Sequence, residues 1–363
     1  MARTIVIGGG IIGMFTAREL ALAGRSVVLL ERGALGRESS WAGGGILSPL
    51  HPWRYPGAVT QLARWGQQHY PVFCRELAQN TGIDPQWTRS GLLWLSTEAK
   101  AEALAWSERE GYDLALLQGE DAVRECEPAV AAGFGEALFM GAVAQVRNPR
   151  LLQAARAELL RLEVEIRESV EVQGFVTRGG HLQALLTAQG ELAAEQALVA
   201  SGAWAGRLLA DTGLTLPVHP VRGQMVLFKA EPDLLQRMVL HQDRYVIPRR
   251  DGRVLVGSTV EDTGFEKQTT QEALAELKAA AYAMVPALER FPVEHHWAGL
   301  RPGSPTGVPY VGEHPHIRGL FVNAGHYRNG VVLGLASTRL AADLMLGRPP
   351  ILDPAPYAPA TNV

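Results

Sequence analysis

The chain has 363 residues, of which 47% are hydrophobic and 20% charged, with a formal net charge of −3. That length has room for two cores, and the balance is that of an ordinary globular protein. With no long basic run and no apolar run approaching a membrane span, it offers no argument for nucleic-acid, membrane-surface or transmembrane function.

The opening MARTIVIGGG has the look of a weak signal sequence. Gly8, Gly9 and Gly10 interrupt its apolar stretch, however, and Arg18 and Glu19 follow, which fits a folded strand-turn-helix unit instead. Residues 4–7 are short, β-branched and continuously apolar, the pattern of a buried parallel strand. An apolar segment over 11–23 stops at Gly24, a helix end signal, and residues 26–30 form a second buried strand. Residues 61–80 and 151–162 read as helices. Over 164–199, short alternating strands separated by Gly179-Gly180 and Gln189-Gly190 predict a β-meander. Residues 221–228, 245–248 and 254–258 read as strands, with Arg250-Asp251-Gly252 as a hairpin turn, and 271–284 as a two-faced helix. A strand over 320–323 precedes Gly325 and Gly330. The helix predicted from about 331 to 346 is apolar on nearly every side and should be buried; Gly347 and Pro349 end it. The Pro- and Ala-rich tail, 351–363, is expected to be loosely attached.

Two strand styles imply an α/β fold, α+β overall, in two domains. Residues 1–85, 146–215 and 303–350 are expected to form a domain around a parallel sheet, and 86–145 with 216–302 a domain dominated by an antiparallel sheet. Cys74 and Cys126 form no C-x-x-C and no cluster, so a reduced, cytoplasmic protein is expected. His295-His296 would point to opposite faces of a strand, a poor chelating pair, and His51 and His69 stand isolated; no metal site is expected.

Gly8-Gly9-Gly10-Ile11-Ile12-Gly13 is G-x-G-x-x-G, directly after a predicted strand and opening a predicted helix. Gly8 permits the tight turn, Gly10 lets backbone approach a pyrophosphate, and Gly13 lets helix and strand pack closely. The pyrophosphate would meet N–H groups at the positive end of the helix. Glu31 ends the second strand, where its carboxylate accepts from ribose hydroxyls and repels a 2′-phosphate, which disfavours NADP. The fingerprint does not separate FAD from NAD. The segment ESSWAGGGIL over 38–47 suits a cofactor longer than NAD's nicotinamide arm requires, although by pattern alone it is equally an ordinary glycine-rich loop.

These motifs stand in a familiar order: VIGGGIIG (6–13), LLERG (29–33), SSWAGGGIL (39–47), ALVASGAWA (197–205), YVIPRRDGRVLVGST (245–259), WAGLRPGSPTGVPYVG (297–312) and GHYRNGVVL (325–333). The chain resembles the glycine oxidase / D-amino-acid oxidase family of FAD-dependent amine oxidoreductases, from Ile5 to about Leu346. The resemblance implies a Rossmann-type FAD-binding domain beside the antiparallel substrate domain. It implies FAD contacts at Gly8, Gly10, Ile11, Ile12 and Gly13 by the pyrophosphate, at Glu31 and Arg32 by the adenosine ribose, and at Val172 by the adenine. Ser39, Ser40, Gly44, Gly45 and Ile46 would approach the phosphates and flavin, and Ser201 and Gly202 would form a second glycine turn. His326, Tyr327, Arg328, Asn329, Gly330, Val331 and Val332 would lie along the flavin's pyrimidine end, where a helix start directs its dipole; by pattern alone this is a plain loop into a core helix. Some related sarcosine oxidases attach flavin to a late cysteine. No cysteine follows Cys126, so the FAD is expected to be non-covalent.

At the substrate end, an arginine fork is the preferred partner of an amino-acid carboxylate. The resemblance implies that Arg301 binds this carboxylate, that Tyr245 hydrogen-bonds nearby, and that Arg328 meets substrate and flavin. Outside the motifs, Arg301 would read as one partner of a surface ion pair and Tyr245 as a half-buried strand residue. Asp243 departs from the family pattern, which has a histidine lining the site, and residues 48–55 (SPLHPWRY) also differ and read as a lid. The implied reaction is oxidative deamination of glycine or a small amine by O2 to the oxo acid, ammonia and hydrogen peroxide. A link to thiamine thiazole synthesis and its enzymes, and a homo-oligomer (a homotetramer), are implied likewise. The alternatives are a D-amino-acid or N-substituted glycine (sarcosine-like) oxidase or dehydrogenase, and, from another class, a cofactor-binding scaffold without turnover.

Overall fold

The computed structural model of the chain describes residues 3–359. Continuously apolar strands bury both faces, and the first two do so: Arg3–Ile7 and Ser26–Leu30 pair in parallel, Ile5 beside Val28. They lie within a six-stranded sheet ordered Tyr310–Glu313, Leu320–Ala324, Gln196–Val199, Arg3–Ile7, Ser26–Leu30, Glu165–Arg167. The edge strand Tyr310–Glu313 runs antiparallel to its neighbour and the other pairs are parallel. Alternate side chains serve two cores, as the period of a strand requires. Val6, Leu29 and Leu198 pack into a layer holding the helices Ile11–Leu22, Gly57–Thr81, Asn148–Arg161 and Gly330–Leu346. Ile5, Ile7, Val28 and Val199 pack on the other face, against a three-stranded antiparallel sheet of Val172–Arg178, His181–Thr187 and Gly190–Ala193. Ile11–Leu22 lies tightly on the turn before it: a Cβ at Gly13 would stand 1.8 Å from the Gly8 carbonyl oxygen, so only glycine fits.

The middle of the chain builds a second sheet of eight strands. Their order is Val293–Gly303, His219–Phe228, Val254–Gly257, Arg244–Pro248, Met238–His241, Leu92–Trp94, Glu136–Met140, Ala115–Gln118. Its pairs are antiparallel except Met238–His241 with Leu92–Trp94. Val226, Phe228 and Val246 pack with Leu277, Ala281 and Met284 of the helix Gln271–Met284. Met225, Tyr245 and Ile247 face the opposite way, with Trp53 and Trp94.

Several expectations change. Residues 164–199 are not one meander: Glu165–Arg167 and Gln196–Val199 join the parallel sheet. Ala197, Leu198 and Val199 are fully buried in succession, the mark of a strand covered on both faces rather than one. Arg301 lies near the end of an eleven-residue strand, not on a short strand-to-turn piece, because Val293–Gly303 pairs along the whole of His219–Phe228. The tail is docked as far as it is described. Tyr357 is 1% exposed and donates its hydroxyl to the Ala58 carbonyl at 2.8 Å, so one aromatic anchors the Pro- and Ala-rich segment. Residues 360–363 of that tail lie outside the described residues. The helices Lys100–Glu110 and Glu120–Cys126 were not read from the sequence; few of their residues are buried, so their apolar period is weak. Among the described residues no group of His, Cys, Asp and Glu could hold a metal ion, and no helix is long and apolar enough to cross a membrane.

Replacing Tyr357 by alanine should cost about 3–5 kcal/mol, the usual loss for a buried aromatic. A thermal melt checks this: an unchanged midpoint would show that the tail does not hold the helix Gly57–Thr81.

Candidate functional site

A cavity of about 560 Å³ opens between the two sheets, within the roughly 300–1,000 Å³ of small-ligand sites. The parallel sheet contributes Gly8, Gly10, Glu31 and Arg32 at its strand ends, with Ser201 and Gly202 after Gln196–Val199. Val172 comes from the small antiparallel sheet, and Ser39, Ser40, Gly44, Gly45 and Ile46 from the glycine loop. The eight-stranded sheet contributes Tyr245 and Arg301, and the segment before the last helix His326, Tyr327, Arg328, Gly330 and Val331. Three sequence-derived positions do not line the cavity. Gly13 lies beneath the turn, Val332 is 1% exposed in the helical core, and Asn329 is buried in the 3-10 turn Tyr327–Asn329. Consecutive helical residues point about 100° apart, so Gly330, Val331 and Val332 cannot all face one cavity.

At the nucleotide end the chemistry is mainly backbone. Gly10 precedes the helix Ile11–Leu22 and as glycine supplies no capping side chain; beyond Ile11 N, which Ser40 takes, the positive end opens to the cavity beside Ile12. The Ser40 hydroxyl accepts from Ile11 N at 2.9 Å. Glu31 accepts from Gly9 N at 2.7 Å and from Gly33 N at 2.9 Å. A carboxylate has about four acceptor positions, so Glu31 retains capacity for sugar hydroxyls. Arg32 stacks on Trp204, its guanidinium carbon 3.7 Å from the ring centroid.

The glycine loop is held from below by a residue that sequence reasoning missed. Arg249 donates to the Gly44 carbonyl at 2.7 Å, to Gln145 Oε1 at 2.6 Å and to the Val146 carbonyl at 3.1 Å. Burial, aided by Arg147, lowers its pKa to about 10, so it remains a cation at neutral pH. Its signal was present in the segment over 245–259, but nothing there separates it from the neighbouring hairpin arginines.

At the far end stands Arg301. Its Nη1 donates to the carbonyls of Thr259 (3.1 Å) and Arg222 (3.3 Å), and its Nη2 to Ser258 Oγ at 2.6 Å. These acceptors are neutral, and among the described residues no carboxylate lies within ion-pair distance of it. Burial first, then Arg328 nearby, lowers its pKa from the ordinary value. Its guanidinium lies over Gly223, where a Cβ would come within 2.1 Å of Nη2. The Tyr245 hydroxyl has only Met225 Sδ at 3.5 Å, a weak acceptor. Arg328 follows Tyr327, whose φ of 47° is left-handed, a strain of about 1–3 kcal/mol that tends to gather at functional sites.

Residues 48–55 do not form a free lid. Trp53 is 7% exposed, its ring 5.6 Å from that of Trp94, and Trp94 Nε1 donates to the Leu50 carbonyl at 2.6 Å. His51 is not isolated: its Nε2 lies 3.2 Å from the Gln242 carbonyl and 3.7 Å from Asp243 Oδ1. His326 is buried against Ser337 Oγ at 2.8 Å, and burial lowers its pKa to about 3. Neither cysteine lines the cavity.

A helix start opening to the cavity, a carboxylate with spare acceptors, a glycine loop and one continuous cavity reaching a half-buried guanidinium fit FAD along its length. Residues 3–344 match the family described as FAD dependent oxidoreductase (DAO). The glycine oxidase of Pseudomonas aeruginosa is 51% identical over 359 residues, covering 99% of this chain and 98% of that protein. The bifunctional protein ThiO/ThiG of Synechocystis is 33% identical over 94% of this chain and 51% of its own length. The crystal structure of glycine oxidase from Geobacillus kaustophilus superposes with a TM-score of 0.94 at 32% identity, covering 100% of both chains.

Unfolded, His326 takes up a proton below about pH 6.5; buried, it resists until about pH 3. Its share of stability is therefore complete above pH 6.5 and is lost as the pH falls toward 3. His326→Gln should flatten the acid limb of a denaturation-midpoint profile between those values. A limb of unchanged slope would rule out this source.

Proposed function

Because the chain belongs to the family of FAD-dependent oxidoreductases, we propose that it oxidises glycine and similarly small amines. Glycine, O2 and water become glyoxylate, ammonia and hydrogen peroxide. The observation that carries this reading is Arg301, a half-buried cation facing the cavity with, among the described residues, only neutral acceptors in contact. Such a charge calls for a small anion, and a planar guanidinium takes a carboxylate in two places.

FAD, held without a covalent bond, would supply the two-electron redox chemistry that couples oxidation of the amine to reduction of oxygen. The cradle proposed for it runs from Glu31 and Val172 through the turn at Gly8 and Gly10 to the loop Gly44–Ile46 and to His326–Val331. Arg301 fixes the substrate carboxylate. Tyr245, whose hydroxyl has only a sulfur beside it, donates to the substrate next to that carboxylate. A desolvated site favours the neutral amine over the ammonium, which prepares the nitrogen lone pair for oxidation. His326 is held neutral and bonded to Ser337, so no histidine base is invoked there; positioning and fixed charges carry the chain's contribution. The same reading takes the protein as a cytoplasmic homo-oligomer that supplies thiamine thiazole synthesis. The joining of ThiO to ThiG in the Synechocystis relative supports that link.

The purified protein should be yellow, and anaerobic glycine should bleach it. Bleaching by sarcosine or D-alanine but never by glycine would move the activity to larger amines. Fast dye reduction with little peroxide would make it a dehydrogenase. Arg301→Met should cost about 2–5 kcal/mol of substrate binding, read as a steep rise in KM, while FAD absorbance is retained. An unchanged KM would remove Arg301 as the anchor.

A further inference from the structure

We infer that Asp243 sets the net charge of the substrate site and thereby restricts it to amines that carry a single carboxylate. The inference rests on reading Arg301 as the carboxylate anchor and adds the substrate class that this anchor admits.

Of the arginines that line the cavity, Arg301 and Arg328 stand at its substrate end, near Tyr245. They differ in what faces them. Arg301 has two backbone carbonyls and a serine hydroxyl, all neutral. Arg328 has Asp243, with Nη1 3.8 Å from Oδ1, and its Nη2 is enclosed with no hydrogen-bond partner among the described residues. Asp243 sits at the tip of the hairpin between Met238–His241 and Arg244–Pro248, two residues before Tyr245. Its side chain is 57% exposed and that of Arg328 15%, so the pair stands where the cavity meets solvent.

The other charged groups around Asp243 do not change this balance. His51 Nε2 lies 3.7 Å from the same carboxylate oxygen, but burial first, then Arg54, lowers its pKa, and at neutral pH it is uncharged. Arg244, next in the chain, is turned to Glu276. The count is then two guanidinium charges against one carboxylate. One positive charge is left over, at Arg301, and a substrate with one carboxylate and a neutral amine balances it. A second substrate carboxylate would enter beside Asp243, where like charges repel across a partly desolvated gap and Arg328 is already engaged. Without the charge on Asp243, Arg328 would be left as a second uncompensated positive charge at the cavity mouth, which a second carboxylate could balance. Asp243 is thus a specificity-determining residue, acting through Arg328 rather than on the reacting atoms.

The test compares two inert acids on the FAD-loaded enzyme, glycolate with one carboxylate and malonate with two, each titrated by its perturbation of flavin absorbance. In Asp243→Asn, nearly the same shape without the charge, the ratio of malonate to glycolate affinity should rise at least tenfold over the wild type. Turnover of iminodiacetate relative to glycine should rise with it. Asp243→Glu, which keeps the charge, should leave both ratios low. Adding Arg328→Met to Asp243→Asn should return the affinity ratio to the wild-type level. Should Asp243→Asn fail to hold FAD, Asp243→Ser carries the same comparison. A rise of less than tenfold, or one that survives Arg328→Met, overturns the inference. If neither acid perturbs the wild-type flavin, the Arg301 anchor itself fails. If glycolate binds normally and the ratio does not move, only the role of Asp243 fails.

Discussion

A guanidinium partly withdrawn from water with only neutral acceptors in contact is costly, and much of this structure is arranged to make one tolerable. The Arg301 fork rests on the carbonyls of Arg222 and Thr259 and on the Ser258 hydroxyl, the first from the strand His219–Phe228 and the other two from the segment just after Val254–Gly257. The register that puts Val221 opposite Arg301 also puts Gly223 beneath the guanidinium. A compensating carboxylate exists one layer further back. Glu261 accepts from Arg222 Nε and from Gln224 Nε2, both at 3.0 Å, and from the Thr259 hydroxyl, so it steadies the acceptors without touching Arg301. The part of the fork that faces the cavity is thereby kept available for an anion.

The two ends of the cavity use different physics. At the parallel sheet, selectivity comes mainly from backbone: a helix start facing the cavity and glycines that allow close approach. At the antiparallel sheet it comes from side chains whose direction the pleat decides, with Tyr245 and Met225 on one face and Val226 and Val246 on the other. Arg249 joins the two ends. It leaves the hairpin of the second sheet and donates to the Gly44 carbonyl of the glycine loop, while Trp297 Nε1 donates to the Ala42 carbonyl at 3.2 Å. A loop of small residues has little packing of its own, so these bonds from outside hold its shape.

What was legible in advance follows the range of the interactions concerned. The strand, glycine turn, helix and second strand up to Glu31 depend on neighbours within about thirty residues, and their boundaries were readable to within a residue or so. The helix Gln271–Met284 was readable for the same reason. The split of 164–199 between two sheets was not, because an apolar strand looks alike whether it closes a meander or enters a parallel sheet. Residues 48–55 read as a lid because their partner Trp94 is distant in sequence, and the tail read as loose because Ala58 is.

By itself the sequence determined the α/β character, the dinucleotide turn with its acid, and, through its ordered motifs, the membership in a flavin-dependent family; each of these depends on local periodicity or on residues set within short segments. Only the tertiary structure decided that Arg301 faces the cavity with no carboxylate in contact among the described residues, that Arg249 supports the glycine loop, and that His51, Asp243 and Arg328 meet at one place. Charge balance at a point depends on every group folded around it, and residues 51, 243 and 328 come together only once both sheets and the last helix have packed.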